Sequence, residues 1–527
     1  MSASPAFAPS ISRASMLAAR APHAVLPRGS EALLPAARGS ASSRSYSPRT
    51  RRGASFLHMS GEPDGKKKVF IIGAGPAGLL AAHLLLKQAP GKFDVTVAEQ
   101  RADPRESEQA SLRSYSLGLG VRGRTSIKKA GDEVWDVVKR RGVECERFSL
   151  HLGKRVLQIR QESPVLITEP SVLINRADLC AALLDGFKTA PDTPTLKFET
   201  QCVQIDPEAR TVCLQSTDGK QETKTYDVLI GADGVNSKVR ESMLKASAGQ
   251  IRFAQAALNG TLKTIHQPMP AALDPLSVHA MGGSIKVEEG GEDVDAKKRA
   301  AERLGLFWVP ERNRTTGEQS ACALINWDPS TAPTSLLQAQ SADEVQRILN
   351  EAFPTLEGGI SLSSAHQFLS QRPALNYVNK LSAYHHSPSR IVLLGDAAHC
   401  TGGASGQGCN SALEDAAVLT ELLTNSNLNV EASLLEFSRR RVEEGHALLD
   451  LAVTANQPRA AGLRVAYLVI NGLEGLGHKL LPNIISPPTQ NLLTQTDLAF
   501  TEIYRRKAWI LDKIKASNTK LGVFSGY

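Results

Sequence analysis

Asp396 closes a short apolar run, RIVLLGD, with Gly395, Gly402, Gly403, Gly406 and Gly408 crowded around it. A carboxylate at the end of a strand, beside backbone almost free of side chains, suits a ligand that offers hydroxyls to the acid and a flat surface to the loop. A second glycine cluster stands near the other end of the chain. Gly73, Gly75 and Gly78, with Ala77 among them, form GxGxxG between an apolar run, VFII, and an apolar helical segment. The first glycine permits a tight turn, the second lets backbone approach a pyrophosphate, and the third lets helix meet strand. The helix N-terminus then faces the phosphates. A second strand, FDVTVAE, delivers Glu99 about 26 residues on, where an acid binds ribose hydroxyls, with Gln100 and Arg101 after it. An acid there favours an unphosphorylated ribose, hence FAD or NAD.

A third segment, TYDVLIGADGVNSKVRESM, reads as a strand, a turn holding Asp233, and a helix bearing Lys238 and Arg240. The order GxGxxG, GADG, GD…GQG resembles flavoprotein hydroxylases of the p-hydroxybenzoate hydroxylase type, that is, class A FAD-dependent monooxygenases, over residues of about 67–445. The stretches RSYSLGLGVRGRTSIKKAG, VLINRADLCAALL and GQGCNSALED look like those of the kynurenine 3-monooxygenase subfamily. The resemblance implies FAD held by the glycine loop, by Glu99, Gln100 and Arg101, and by Gly118, Arg176, Cys202 and Asp233. It also implies Asp396 on the ribityl hydroxyls, with Gly406, Gly408, Cys409 and Asn410 beside the flavin. NADPH or NADH would be the reductant, and a flavin hydroperoxide would hydroxylate an aromatic or other small organic substrate. Neither a metal nor a triad is expected, and His399 is expected to support its loop. Two other readings are a flavin-dependent reductase or dehydrogenase without oxygen insertion, and a non-catalytic flavin-fold binding protein.

The pattern departs from the subfamily around the substrate. Where relatives carry a proline and bulky aromatics, this chain has Gly403, Ala404 and Ser405. The tyrosines that would hold an amino-acid carboxylate are unmatched, and Arg147 is the candidate arginine for that carboxylate.

The elements required to position these groups give an α/β fold. A Rossmann-like FAD-binding domain is expected from 67–250 and 385–425. A mixed β-sheet substrate domain is expected at 250–384, and helices from 427 to 527. The chain has 527 residues, 42% hydrophobic and 22% charged, ordinary for a globular protein. Of its net charge of +8, residues 1–58 supply +7 through eight arginines against Glu31. The basicity therefore belongs to the leader and offers no nucleic-acid face. That leader, rich in Ala, Ser, Arg and Pro, reads as an organelle transit peptide, plastid first and mitochondrion second. No apolar run is long enough to span a bilayer, which leaves peripheral membrane contact open. Seven scattered cysteines without a CxxC pair point to a reducing compartment, with no disulfide or zinc.

Overall fold

The computed structural model describes residues 65–520 apart from 107–111, 113, 154, 161–168, 191, 286–301, 329–331, 357–358, 404, 427–428 and 456–459. The leader, Ala404 and most of the charged segment at 287–303 lie outside these residues.

The first layer is a six-stranded sheet around β1 (Lys67–Ile72). Parallel neighbours are β2 (Phe93–Ala98) and β12 (Val228–Gly231), extended outward by β8 (Thr195–Lys197), β19 (Ile391–Leu393) and β18 (His385–His386). A parallel sheet covered on both faces needs strands that are apolar throughout. Val69 to Ile72 and Val228 to Ile230 are all buried. Helix α1 (Pro76–Gln88) starts with Pro at its first position and is buried from Pro76 through Leu86. Leu79, Leu80, Leu84 and Leu85 are wholly buried, each contributing about 1.5–3 kcal/mol.

A second, mixed sheet forms the substrate side. Its seven strands run in the order β17 (Ala374–Leu381), β13 (Phe253–Pro268), β16 (Gln319–Trp327), β15 (Glu302–Arg312), β14 (Ser277–Ile285), β5 (Arg147–Leu152) and β6 (Arg155–Arg160). The last two strands correct the expected boundary. Residues 147–160 sit inside the segment assigned to the cofactor domain, yet β5 pairs in parallel with β14, Ser277 opposite Arg147. Nothing local in RFSLHL announces a partner so far along the chain.

Two three-stranded sheets complete the β-structure. One is β11 (Gln221–Thr225), β10 (Thr211–Ser216) and β9 (Thr200–Asp206); the other is β3 (Ser116–Leu119), β7 (Ser171–Asn175) and β4 (Val143–Cys145). The helices that carry the site are α2 (Val121–Lys128), α3 (Arg176–Gly186), α4 (Lys238–Ala246), α5 (Ala342–Ala352), α6 (Leu362–Ser370), α7 (Asp396–His399) and α8 (Gly408–Asn425). The chain closes through α9 (Val430–Asp450), α10 (Ala461–Leu480) and α11 (Phe500–Lys520). No helix among the described residues is long and apolar enough to cross a membrane.

Candidate functional site

The glycine loop has the shape the motif demands. Gly73 adopts φ +106°, and a Cβ there would sit 2.4 Å from the Ala232 carbonyl oxygen. A Cβ on Gly78 would sit 2.1 Å from the Gly73 carbonyl, so both positions exclude side chains. Ala77 is buried in the first turn of α1. Glu99 follows β2, and its Oε2 accepts from the Ala74 amide at 3.0 Å while Oε1 accepts from the Arg101 amide at 3.0 Å. The carboxylate is thereby fixed beside the glycine loop with lone pairs to spare. Gln100 and Arg101 are exposed on the rim.

Asp233 is committed to structure. It accepts from Ser237 Oγ at 2.6 Å and from the Lys238 and Val239 amides at 2.7 and 3.2 Å, capping α4. Burial still raises its carboxyl above the ordinary range. Arg240 donates to the Ala397 carbonyl at 3.0 Å and to the Val235 carbonyl at 2.7 Å, tying this turn to α7. Cys202 lies on β9, two residues past the point where the Thr200 amide bonds the Glu99 carbonyl.

The deepest part of the site joins four groups that are surrounded by protein yet keep accessible surface: Tyr115, Arg176, Asp396 and Cys409. Tyr115 is 46% exposed. Groups in that condition line a deep cleft. Arg176 opens α3, and among the described residues its guanidinium makes no hydrogen bond or ion pair. A Cβ on Gly75 would lie 3.2 Å from its Nη2, so the cation stands over the glycine loop. Burial opposes its charge, but Cys180, Tyr115, Cys409 and Asp396 around it raise its pKa.

Asp396 makes no ion pair among the described residues. Burial raises its pKa, against the pull of His399 and Arg176 and the thiol of Cys400. Its backbone is held instead: the Asp396 carbonyl accepts from Asn379 Nδ2 at 3.0 Å. Gly402, Gly403 and Gly406 all have φ near +70°, and a Cβ on Gly403 or Gly406 would meet nothing within 4 Å. Helix α8 begins at Gly408 with no side-chain cap and no acid in its first turn. Helix α1 likewise has neither. Both N-termini therefore keep free N–H groups and a positive dipole end.

Behind the cleft, partners are complete. Asn410 is wholly buried, accepts from the Gly120 amide at 3.0 Å and donates to the Gly118 carbonyl at 2.9 Å, locking α8 to β3. His399 Nε2 donates to Asp415 Oδ2 at 2.6 Å, and Arg441 Nε donates to Asp415 Oδ1 at 2.6 Å. Burial alone would raise the Asp415 carboxyl, but His399 and Arg441 hold it at about 2. The cysteines are all free. Burial pushes Cys180 up to about 11 and Cys202, Cys400 and Cys409 up to about 12, so these four are neutral thiols at pH 7.

Arg147 is spent elsewhere. Its Nε lies 3.0 Å from Asp274 Oδ2 and its Nη2 donates to Asp274 Oδ1 at 3.2 Å, so the expected carboxylate holder is already paired. Tyr115 and Asn379 were not foreseen. Tyr115 stands inside the RSYSLGLG stretch, but its residue type alone carries no signal of a cleft.

These residues fit FAD. An unpaired cation stands over a glycine loop, Glu99 stands beside that loop, and Asp396 precedes a side-chain-free loop that leads to an uncapped helix. Residues 66–452 match the family described as FAD binding domain. The chain is 27% identical over 398 residues to violacein synthase of Chromobacterium violaceum, covering 73% of this chain and 84% of that protein. It is 25% identical over 463 residues to kynurenine 3-monooxygenase of Sus scrofa, covering 87% and 90%. Among solved structures it is similar to PqsL of P. aeruginosa in complex with 2-aminobenzoylacetate, with TM-score 0.56, 18% identity, and 74% and 96% coverage. The chain belongs to the FAD-binding domain family. Within it, the chain is a class A FAD-dependent monooxygenase of the kynurenine 3-monooxygenase type, with FAD as cofactor and reduced nicotinamide as its electron source.

Proposed function

We propose that this monooxygenase hydroxylates an aromatic or prenylated molecule larger or less polar than kynurenine. Bound FAD would take hydride from NADPH or NADH and activate oxygen for insertion into the substrate. The chain's own residues do the rest. Arg176 and the free N–H groups of α1 would hold the phosphates, Glu99 and Asp396 would hold the hydroxyls, and the N-terminus of α8 would favour negative charge beside the ring. The observation that carries the substrate reading is the Arg147–Asp274 pair. A zwitterion entering a pocket whose arginine is already paired would bury its carboxylate without a partner, at about 1–3 kcal/mol. The open space at Gly403 and Gly406 supports a larger occupant.

The test is oxygen uptake with NADPH and with NADH, screened over kynurenine, aromatic acids and prenylated aromatics. Coupled uptake with a prenylated or apolar aromatic, and weak uptake with kynurenine, is expected. Tight coupling with kynurenine that is abolished in Arg147→Ala would overturn this reading.

The arginine-rich leader supports import into a plastid, with a mitochondrion as second choice. A reporter fused to residues 1–60 tests this, and diffuse cytosolic signal would refute it. Peripheral membrane contact is supported by α10, where Val465, Val469, Leu473, Leu476 and Leu480 are 53–73% exposed at helical spacing. Co-sedimentation with anionic vesicles that survives in Leu473→Asp would refute that contact.

A further inference from the structure

The substrate sheet meets the β3–β7–β4 sheet through a small apolar cluster, Cys145, Leu173 and Val309. One buried charged pair lies at the same junction. His266 Nδ1 is 2.7 Å from Glu311 Oε1, and its Nε2 is 3.0 Å from the Ser114 carbonyl oxygen. Both ring nitrogens face acceptors. Only the imidazolium, with two N–H donors, satisfies both. The second oxygen of Glu311 accepts from Ser116 Oγ at 2.5 Å and from Asn175 Nδ2 at 3.5 Å. His266 is itself clamped from α6: its amide donates to Gln367 Oε1 at 2.8 Å and its carbonyl accepts from Gln367 Nε2 at 2.9 Å.

The residues tied by this pair are the immediate neighbours of the cleft. Ser114 and Ser116 flank Tyr115, and Asn175 precedes Arg176, whose amide donates to the Tyr115 carbonyl at 3.0 Å. Asn175 also caps α3 by accepting from the Ala177 amide at 2.9 Å. We propose that His266 and Glu311 are positioning residues that hold Tyr115 and Arg176 in place for FAD from across the junction of the two sheets. They act through the residues on either side of the cleft groups, the Ser114 carbonyl and the side chains of Ser116 and Asn175.

Cys322, opposite His266 in the sheet register, brings a third metal-ligating atom within 4.8 Å. A direct 2.7 Å imidazole–carboxylate bond leaves no room for an ion between those two groups, and burial pushes the Cys322 thiol up. The cluster is therefore a hydrogen-bonded tie.

The groups facing His266 are Glu311 on β15, Cys322 on β16 and Asp178 on α3. Burial lowers the pKa of His266, but Glu311, the Ser114 carbonyl and Asp178 together raise it. A raised histidine contributes fully below its ordinary value near 6.5 and is lost as pH rises through the folded value. FAD affinity in the parent should accordingly fall on the alkaline side.

The experiment titrates apoprotein with FAD by flavin fluorescence from pH 6 to 9, with thermal melting of each apoprotein alongside. It compares the parent, Glu311→Gln, Glu311→Asp and His266→Gln. Glu311→Gln and His266→Gln should weaken FAD about tenfold at pH 7, the size of one lost charge-assisted hydrogen bond. The alkaline decline should also flatten in both, and Glu311→Asp should restore part of it. Should the charge-removing variants fail to fold, Ser116→Ala removes one tie and keeps both charges; it should weaken FAD without shifting the alkaline step. Three results would overturn the proposal: unchanged affinity at every pH, uniform weakening with the parent's pH profile, or stoichiometric zinc in the purified parent. The inference rests on FAD occupying this cleft. A parent that binds no FAD would sink that reading, whereas a parent that binds with an unaltered Glu311→Gln would sink only the pair.

Discussion

Two aspartates on consecutive helices separate the machinery from its scaffold. Asp415, on α8, is wholly buried and takes a histidine, an arginine and the Gly395 amide at 2.9 Å. Asp396, on α7, keeps accessible surface and pairs with no cation among the described residues. Arg441 and Arg176 repeat the contrast: the first donates to Asp415, Glu414 and Ser411, while the second stands over the glycine loop and makes no hydrogen bond or ion pair among the described residues. A buried charge without a partner is costly. A ligand that completes such a group removes that cost, and we infer that the unmatched groups face the cofactor while the matched ones form the frame.

The comparison breaks most visibly at the scaffold. Arg441→Met leaves Asp415 short of a partner in the interior and should cost about 3–5 kcal/mol, read as a collapsed melting transition with or without FAD. In Arg176→Met the order of effects reverses. Melting of the apoprotein should hold, while FAD affinity falls by about 2–3 kcal/mol through loss of a charged phosphate contact. Acid titration sharpens the contrast further. Because the folded Asp415 carboxyl sits at about 2, below its unfolded value near 3.9, its stabilisation is present above pH 4. It is lost as pH falls toward 2, a change on the order of 2 kcal/mol. Asp415→Asn, if it folds, should lose that acid step. The smallest effect belongs to Arg147→Ala. Its ion pair is partly exposed and should contribute under about 1 kcal/mol to stability, with the product profile unchanged.

Much of the cofactor half was legible because its signals are local. Gly73, Gly75 and Gly78 are forced by turn geometry within six residues, and Glu99 follows from the length of one βα unit. Asp396 and the glycines after it were legible for the same reason. Arg176 stands over the glycine loop, a placement that the resemblance of VLINRADLC suggests and that its residue type alone does not. Asp233 shows the limit of that route: its segment does form a strand, a turn and a helix, but its oxygens are used on the start of α4. The substrate half was hidden by distance along the chain. His266 and Glu311 meet across strands in a region without a motif, and β5 leaves the cofactor segment to pair with β14. Tyr115 becomes informative only when β3, α3 and α7 converge on it.

The most direct measurement is FAD binding to Asp396→Asn, which keeps the shape of the side chain and removes its charge, together with the melting of its apoprotein. A weakening of roughly 10- to 100-fold, about 1.5–3 kcal/mol, with an unchanged apoprotein melt, is the result expected of a cofactor ligand. Full flavin loading at the parent's affinity, or a melt that collapses as in Arg441→Met, would contradict it.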